Sequence, residues 1–172
     1  VYSMTLLIKW LLSTYTKVLK QRNALLDEIA EGNLRRDELE IWDEQLAEAG
    51  AFMIDKRFEF IDFINKKIQS HYRDISGGNE TLEVRYKGDH LDKRSFVKKL
   101  ALKADRDIRY GSTSVGPHLD DIEFILNGRD VGQFASRGEF RTILIALKLS
   151  EISYMQNEIK DKPVLLLDDV FS

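Results

Sequence analysis

Apolar positions recur at helical spacing through the first 72 residues. Met4, Ile8, Leu11, Tyr15, Val18, Leu25 and Ile29 fall at steps of three, four or seven, which predicts an amphipathic helix ended by Glu31-Gly32-Asn33. Leu39, Trp42, Leu46 and Ala49 start a second stripe, and Ile54, Phe58, Ile61, Ile64 and Ile68 continue it. The phase is nearly kept across Gly50, and one glycine costs a helix only about 1 kcal/mol. One long helix from about residue 35 to 72 is therefore expected. Two long helices joined by a short break should pack antiparallel as a hairpin.

The period then changes. Ser76-Gly77-Gly78-Asn79 has loop chemistry, and TLEVRYK (81–87) alternates as a strand does. Residues 92–105 read as a helix with Phe96, Leu100 and Leu102 inward. In DIEFILNGRDV (121–131), Ile122, Phe124 and Leu126 alternate into Asn127-Gly128, the dipeptide favoured in a type I′ hairpin turn. A helix follows from Ser136 to about Glu158, then Pro163 and the apolar run VLLLDDVFS (164–172). Helices first and mixed elements later predict an α+β or α/β fold with a helical arm, divided near residue 76.

Charge and composition narrow the chemistry. The 172 residues contain no cysteine, which excludes disulfides and thiolate metal sites and fits a reducing cytoplasm. His71, His90 and His118 lack metal-ligand spacing. Net charge is -3, with no global signature of nucleic-acid binding, but residues 85–109 hold nine basic and four acidic side chains. Lys93, Lys98, Lys99 and Lys103 are the candidate phosphate contacts there; a solvated helix face is the plainer alternative. The apolar opening is interrupted by Lys9 and is too short to span a membrane. A first residue that is not Met and an abrupt end suggest a piece of a longer protein.

Two motifs carry candidate chemistry. VLLLDD reads as an inner strand delivering Asp168 and Asp169 to its carboxyl end, where open α/β sheets bind ligands. An acid so placed can hold Mg²⁺ through water, and a second can polarise an attacking water. A helix cap or solvated turn would use the same pair. Upstream, Ser136 is a good N-cap, Glu139 completes a capping box, and Gly138 leaves the helix start open to a phosphate.

In order, the two motifs resemble the signature and Walker B elements of an ABC-type ATPase head. The fuller strings RYGSTSVGPHLDDIEFILNG (109–128), SRGEFRT (136–142), ALKLSE (146–151) and PVLLLDDVFS (163–172) resemble the bacterial RecF family of DNA replication and repair proteins, as do LKQRNALL (19–26), WDEQLAEAG (42–50) and RFEFI (57–61). The resemblance implies the C-terminal half of an ABC/SMC-type head. Residues 1–75 would form an antiparallel helical arm, and 76–172 the head portion with hairpin, signature helix and Walker B strand. It implies ATP and Mg²⁺ as cofactors. Ser136 and Gly138 would contact the γ-phosphate across an ATP-dependent homodimer, with Asp168 organising Mg²⁺, Asp169 as the catalytic carboxylate and Ser172 opening the D-loop. It implies ATP-dependent binding to duplex, gapped or junction DNA, slow hydrolysis, recombinational repair and the SOS response in the cytoplasm, with RecR and RecO as mediator partners.

No G-x-x-x-x-G-K-[ST] occurs in these residues, so they are not expected to hydrolyse ATP alone. Arg137, Glu139 and Phe140 stand where the family's signature carries glutamines, and Leu119 where its Gly-Pro-His motif continues with arginine. An SMC-like structural head and a non-enzymatic helical interaction module are the alternatives.

Overall fold

The computed structural model describes residues 2–158; the segment expected as a Walker B strand, with Asp168, Asp169 and Ser172, lies outside the described residues. The element order is α1 (Tyr2–Ala30), a 3₁₀ turn (Arg36–Glu38), α2 (Leu39–Ser76), β1 (Leu82–Lys87), α3 (Lys93–Tyr110), β2 (Asp121–Leu126), β3 (Arg129–Asp130), α4 (Val131–Phe134) and α5 (Arg137–Glu158). The described residues are mostly helical, with one small antiparallel sheet of three strands. Backbone proximity divides the described residues into two units, 2–57 with 88–120 and 58–87 with 121–158.

The first unit is helical. Tyr15 meets Gly50, Arg22 meets Asp43, and Leu26 clusters with Leu39. These pairings share one register, so α1 and the start of α2 run antiparallel, as the sequence pattern leads one to expect. α3 packs on α1 and buries Phe96, Leu100, Ala104 and Asp107. The Phe96 ring explains Gly50: a Cβ there would lie 2.6 Å from Phe96 Cε2. What looks in sequence like a tolerated helix defect is the place where a ring lies on backbone. Leu102 is a correction. It is 75% exposed, because the buried set 96–100–104–107 places position 102 on the opposite side of the helix.

The second unit packs the sheet against the last turns of α2 and against α5. Ile64, Ile68, Tyr72, Leu82, Val84, Leu126, Ile143 and Ala146 form its core. β1 pairs with β2 in one register from Leu82↔Leu126 to Lys87↔Asp121, and β2 pairs with β3. The type I′ turn is present: Asn127 has φ 50° and Gly128 φ 77°. Burial along β2 rises toward that turn, so Leu126 is buried while Ile122 stays exposed, and Ile125 on the other face is buried as well.

The edge of β1 away from β2 is closed by side chains. Asn65 on α2 donates to Val84 O at 2.7 Å and accepts from Val84 N at 2.8 Å. One turn on, Gln69 donates to Glu80 O at 2.8 Å and accepts from Leu82 N at 2.6 Å. Two carboxamides thus imitate a neighbouring strand and deny the edge to other chains. Asn65→Ala leaves Val84 N–H and C=O unpaired, a cost of about 1–3 kcal/mol. The expected result is a lower urea midpoint with faster hydrogen exchange at Val84, and unchanged exchange there would contradict the role.

Candidate functional site

The start of α5 forms as a capping box. Ser136 N donates to Glu139 Oε2 at 2.7 Å, and Glu139 N donates to Ser136 Oγ at 3.3 Å. The bonds to Ser136, side chain first and backbone second, hold the Glu139 carboxyl below its ordinary value. Glu139 is therefore folded back onto the cap. Ser136 Oγ accepts from Glu139 N, and its hydroxyl also bonds the Glu139 carboxyl, so the cap engages the side chain on both sides. A Cβ on Gly138 would meet nothing within 4 Å, so the backbone is open to close approach. Ser136, Arg137, Gly138 and Arg141 are all exposed. With Arg137, Glu139 and Arg141 together, the first turn carries one net positive charge. A cavity of about 330 Å³ beside it is walled by Arg129, Asp130 and Glu139 among others; two acids against one base make a poor anion site. The helix start itself is the better phosphate ligand.

α3 carries the basic segment, and the structure sorts its cations. Lys93 lies 3.0 Å from Glu48 and 3.2 Å from Glu44, which raise its pKa in that order. Lys99 pairs with Asp89. Lys98 and Lys103 are exposed and pair with no acid among the described residues, and the same holds for Arg94, Arg106 and Arg109. At 1.5 Å per residue, Arg94 to Arg109 spans about 22 Å. Of the four candidate lysines, two are held by acids and two stand on a free ridge with three arginines. The acids that neutralise Lys93 come from α2, far away in sequence.

The chain also buries a polar hub that its apolar stripes do not announce. Arg22, fully buried, donates through Nε to Asp43 Oδ1 at 2.6 Å. Its Nη1 donates to Asp107 Oδ2 at 2.9 Å and to Thr113 Oγ1 at 2.8 Å. Ser114 N and Oγ donate to Asp107 Oδ1, and Thr113 N and Oγ1 donate to Asn23 Oδ1. Burial pushes the Asp43 carboxyl up, against the pull of Arg22. Nearby, His118 Nε2 lies 3.1 Å from Thr113 O, a carbonyl that can only accept. Nε2 thus carries the proton, and Nδ1 accepts from Tyr15 O–H at 2.6 Å. The signal for the hub was position 22, a step of four after Val18, where the stripe of α1 calls for an apolar residue and the sequence has arginine. Among the described residues no cluster of three His, Cys, Asp or Glu side chains could hold a metal, and no helix is long and apolar enough to cross a membrane.

No family model matches the chain. It is 42% identical over 161 residues to the DNA replication and repair protein RecF of Lachnoclostridium phytofermentans, across 94% of this chain and 44% of that protein. RecF of Agathobacter rectalis is 44% identical over 161 residues with the same coverage. RecF of Geotalea uraniireducens is 39% identical over 166 residues, across 92% and 44%. The chain belongs to the RecF family. A solved structure of the recombination mediator protein RecF-ATP in the RecFOR pathway superimposes with a TM-score of 0.86 at 36% identity, over 94% of this chain and 45% of that one. A RecF-ATPrS structure gives 0.84 at 36% identity, over 95% and 46%. The chain thus spans about 44% of the length of the curated RecF relatives it matches, and its fold is that of the matching part of RecF.

Proposed function

We propose that the protein containing this chain is an ATP-binding, DNA-binding repair protein that works as RecF does. The observation that carries the reading is the match to RecF solved with ATP, combined with an α5 start that is capped, exposed and open at Gly138. Residues 1–75 serve as the helical arm and 76–172 as the head portion. ATP, bound mainly by parts of the protein outside these residues, supplies a γ-phosphate that a second copy can grip. The exposed Gly138 N–H would donate to it with the Ser136 cap alongside, aided by the helix dipole. Glu139 stays out of the way because its carboxylate is held by Ser136. Asp168 would hold Mg²⁺, Asp169 would orient the attacking water, and Ser172 would begin the loop that follows. Hydrolysis is slow and sets the time for which a dimer holds DNA.

The DNA-binding surface is the free ridge of α3, and its attraction is electrostatic. Cations already paired with protein acids release few counterions when DNA binds, whereas free ones release the most. RecR and RecO are the mediator partners on this reading, in the cytoplasm and in the SOS response. The test is the salt dependence of duplex binding by the full-length protein with ATP. Replacing both Lys98 and Arg106 by Ala should reduce the log–log salt slope by about 2, roughly one unit for each phosphate no longer neutralised. Replacing both Lys93 and Lys99 should change it less. Equal slopes in all three proteins would overturn the assignment.

A further inference from the structure

The ridge ends in an aromatic side chain that phosphate binding does not use. Tyr110 is the last residue of α3 and is 69% exposed. The Arg106 guanidinium lies 6.0 Å from its ring centroid, at the limit of cation–π contact. Leu102, one turn before Arg106, is also exposed. Among the described residues Lys103, Arg106 and Arg109 surround this column without an acid partner, for Asp105 is taken by Arg36 and Asp107 is buried in the Arg22 hub. A flat exposed ring beside three free cations is complementary to a polyanion that offers π faces. Duplex DNA offers such a surface phosphates but no base faces, because its bases are stacked on one another. Single strands offer both.

We propose that Tyr110 is a stacking position for an unpaired base, with the flanking phosphates on Lys103, Arg106 and Arg109. The proposal rests on the DNA-binding reading above and adds to it a residue that distinguishes an unpaired base from a stacked one. Arg106 then has two roles, a phosphate ligand and a guanidinium edge beside the base. An acidic protein segment is the other polyanion such a surface could meet, but it would have no use for the ring.

The experiment uses the full-length protein with Tyr110→Ala and Tyr110→Phe. Affinities are measured for an oligo-dT strand and for a duplex, with unlabelled polyglutamate as competitor. Base–aromatic stacking is worth about 1–3 kcal/mol per base, so Tyr110→Ala should weaken oligo-dT binding about tenfold. Tyr110→Phe, which keeps the ring, should bind oligo-dT as the parent does, and both variants should bind duplex as the parent does. Unchanged oligo-dT affinity in Tyr110→Ala would overturn the proposal. So would an equal loss for both DNAs, or polyglutamate displacing oligo-dT as well as a DNA strand of equal charge. If the parent protein binds neither DNA, the DNA-binding reading itself fails, an outcome distinct from a silent Tyr110.

Discussion

Arg22→Met should lower the stability of the protein by about 3–5 kcal/mol, the cost of breaking a buried ion pair from one side. The guanidinium is fully buried, and it faces two buried carboxylates, Asp43 and Asp107. Methionine fills much of the volume but leaves both acids without a cation. Thr113 Oγ1 also loses a donor, although Thr113 N and Oγ1 keep their bonds to Asn23 on α1. At roughly 2–4 °C per kcal/mol, the melting temperature should fall by about 6–20 °C. Arg36→Ala provides the contrast. Arg36 and Asp105 are both exposed, so their pair contributes about 0–1 kcal/mol at most. Adding Asp107→Leu to Arg22→Met should recover part of the loss, because one stranded charge is removed. Urea unfolding of the three variants checks this; equal destabilisation by Arg22→Met and Arg36→Ala would contradict the role of the hub.

The hub also explains part of what made the chain family-like. LKQRNALL supplies Arg22 and Asn23, WDEQLAEAG supplies Asp43 and Gly50, and RYGSTSVGPH supplies Thr113, Ser114 and His118. These strings build the fastening of residues 111–118 onto α1 and α3. Each segment alone looks like an ordinary helix or loop. Only the fold shows that its polar residues belong to one cluster.

What was legible in the sequence is what depends on near neighbours. The helix periods, the Asn127-Gly128 turn and the Ser136–Glu139 capping box are local, and each is present. What was hidden depends on partners far along the chain. Leu102 turns outward because Phe96 and Leu100 fix the phase of α3. Lys93 loses its charge advantage to Glu44 and Glu48, some 45 residues earlier. Asn65 and Gln69 read as ordinary polar positions on α2 until β1 lies beside them. The division between Arg57 and Phe58 falls inside a continuous helix, where no glycine, proline or change of period marks it. The roles of Ser136 and Gly138 stand on a different footing, since they depend on a second molecule.

Gly138→Asp addresses those roles with the second large effect. Gly138 is the second residue of α5, and an added Cβ meets open space. Aspartate in a first helical turn is favoured by the macrodipole, and it replaces the least rigid residue. The protein should fold as well as the parent or slightly better. At the interface the same carboxylate would face a γ-phosphate. Two unit charges 4 Å apart repel by about 4 kcal/mol at an effective dielectric of 20, or roughly a thousandfold in affinity. Weaker association would therefore come from the nucleotide interface and not from misfolding.

The most direct test of the proposed function is sedimentation velocity of full-length protein and Gly138→Asp, each with saturating ATP. The parent should sediment as a dimer, and Gly138→Asp as a monomer that still binds ATP. An ATP-dependent dimer of unchanged affinity in Gly138→Asp would contradict the role of α5 in gripping the partner's nucleotide.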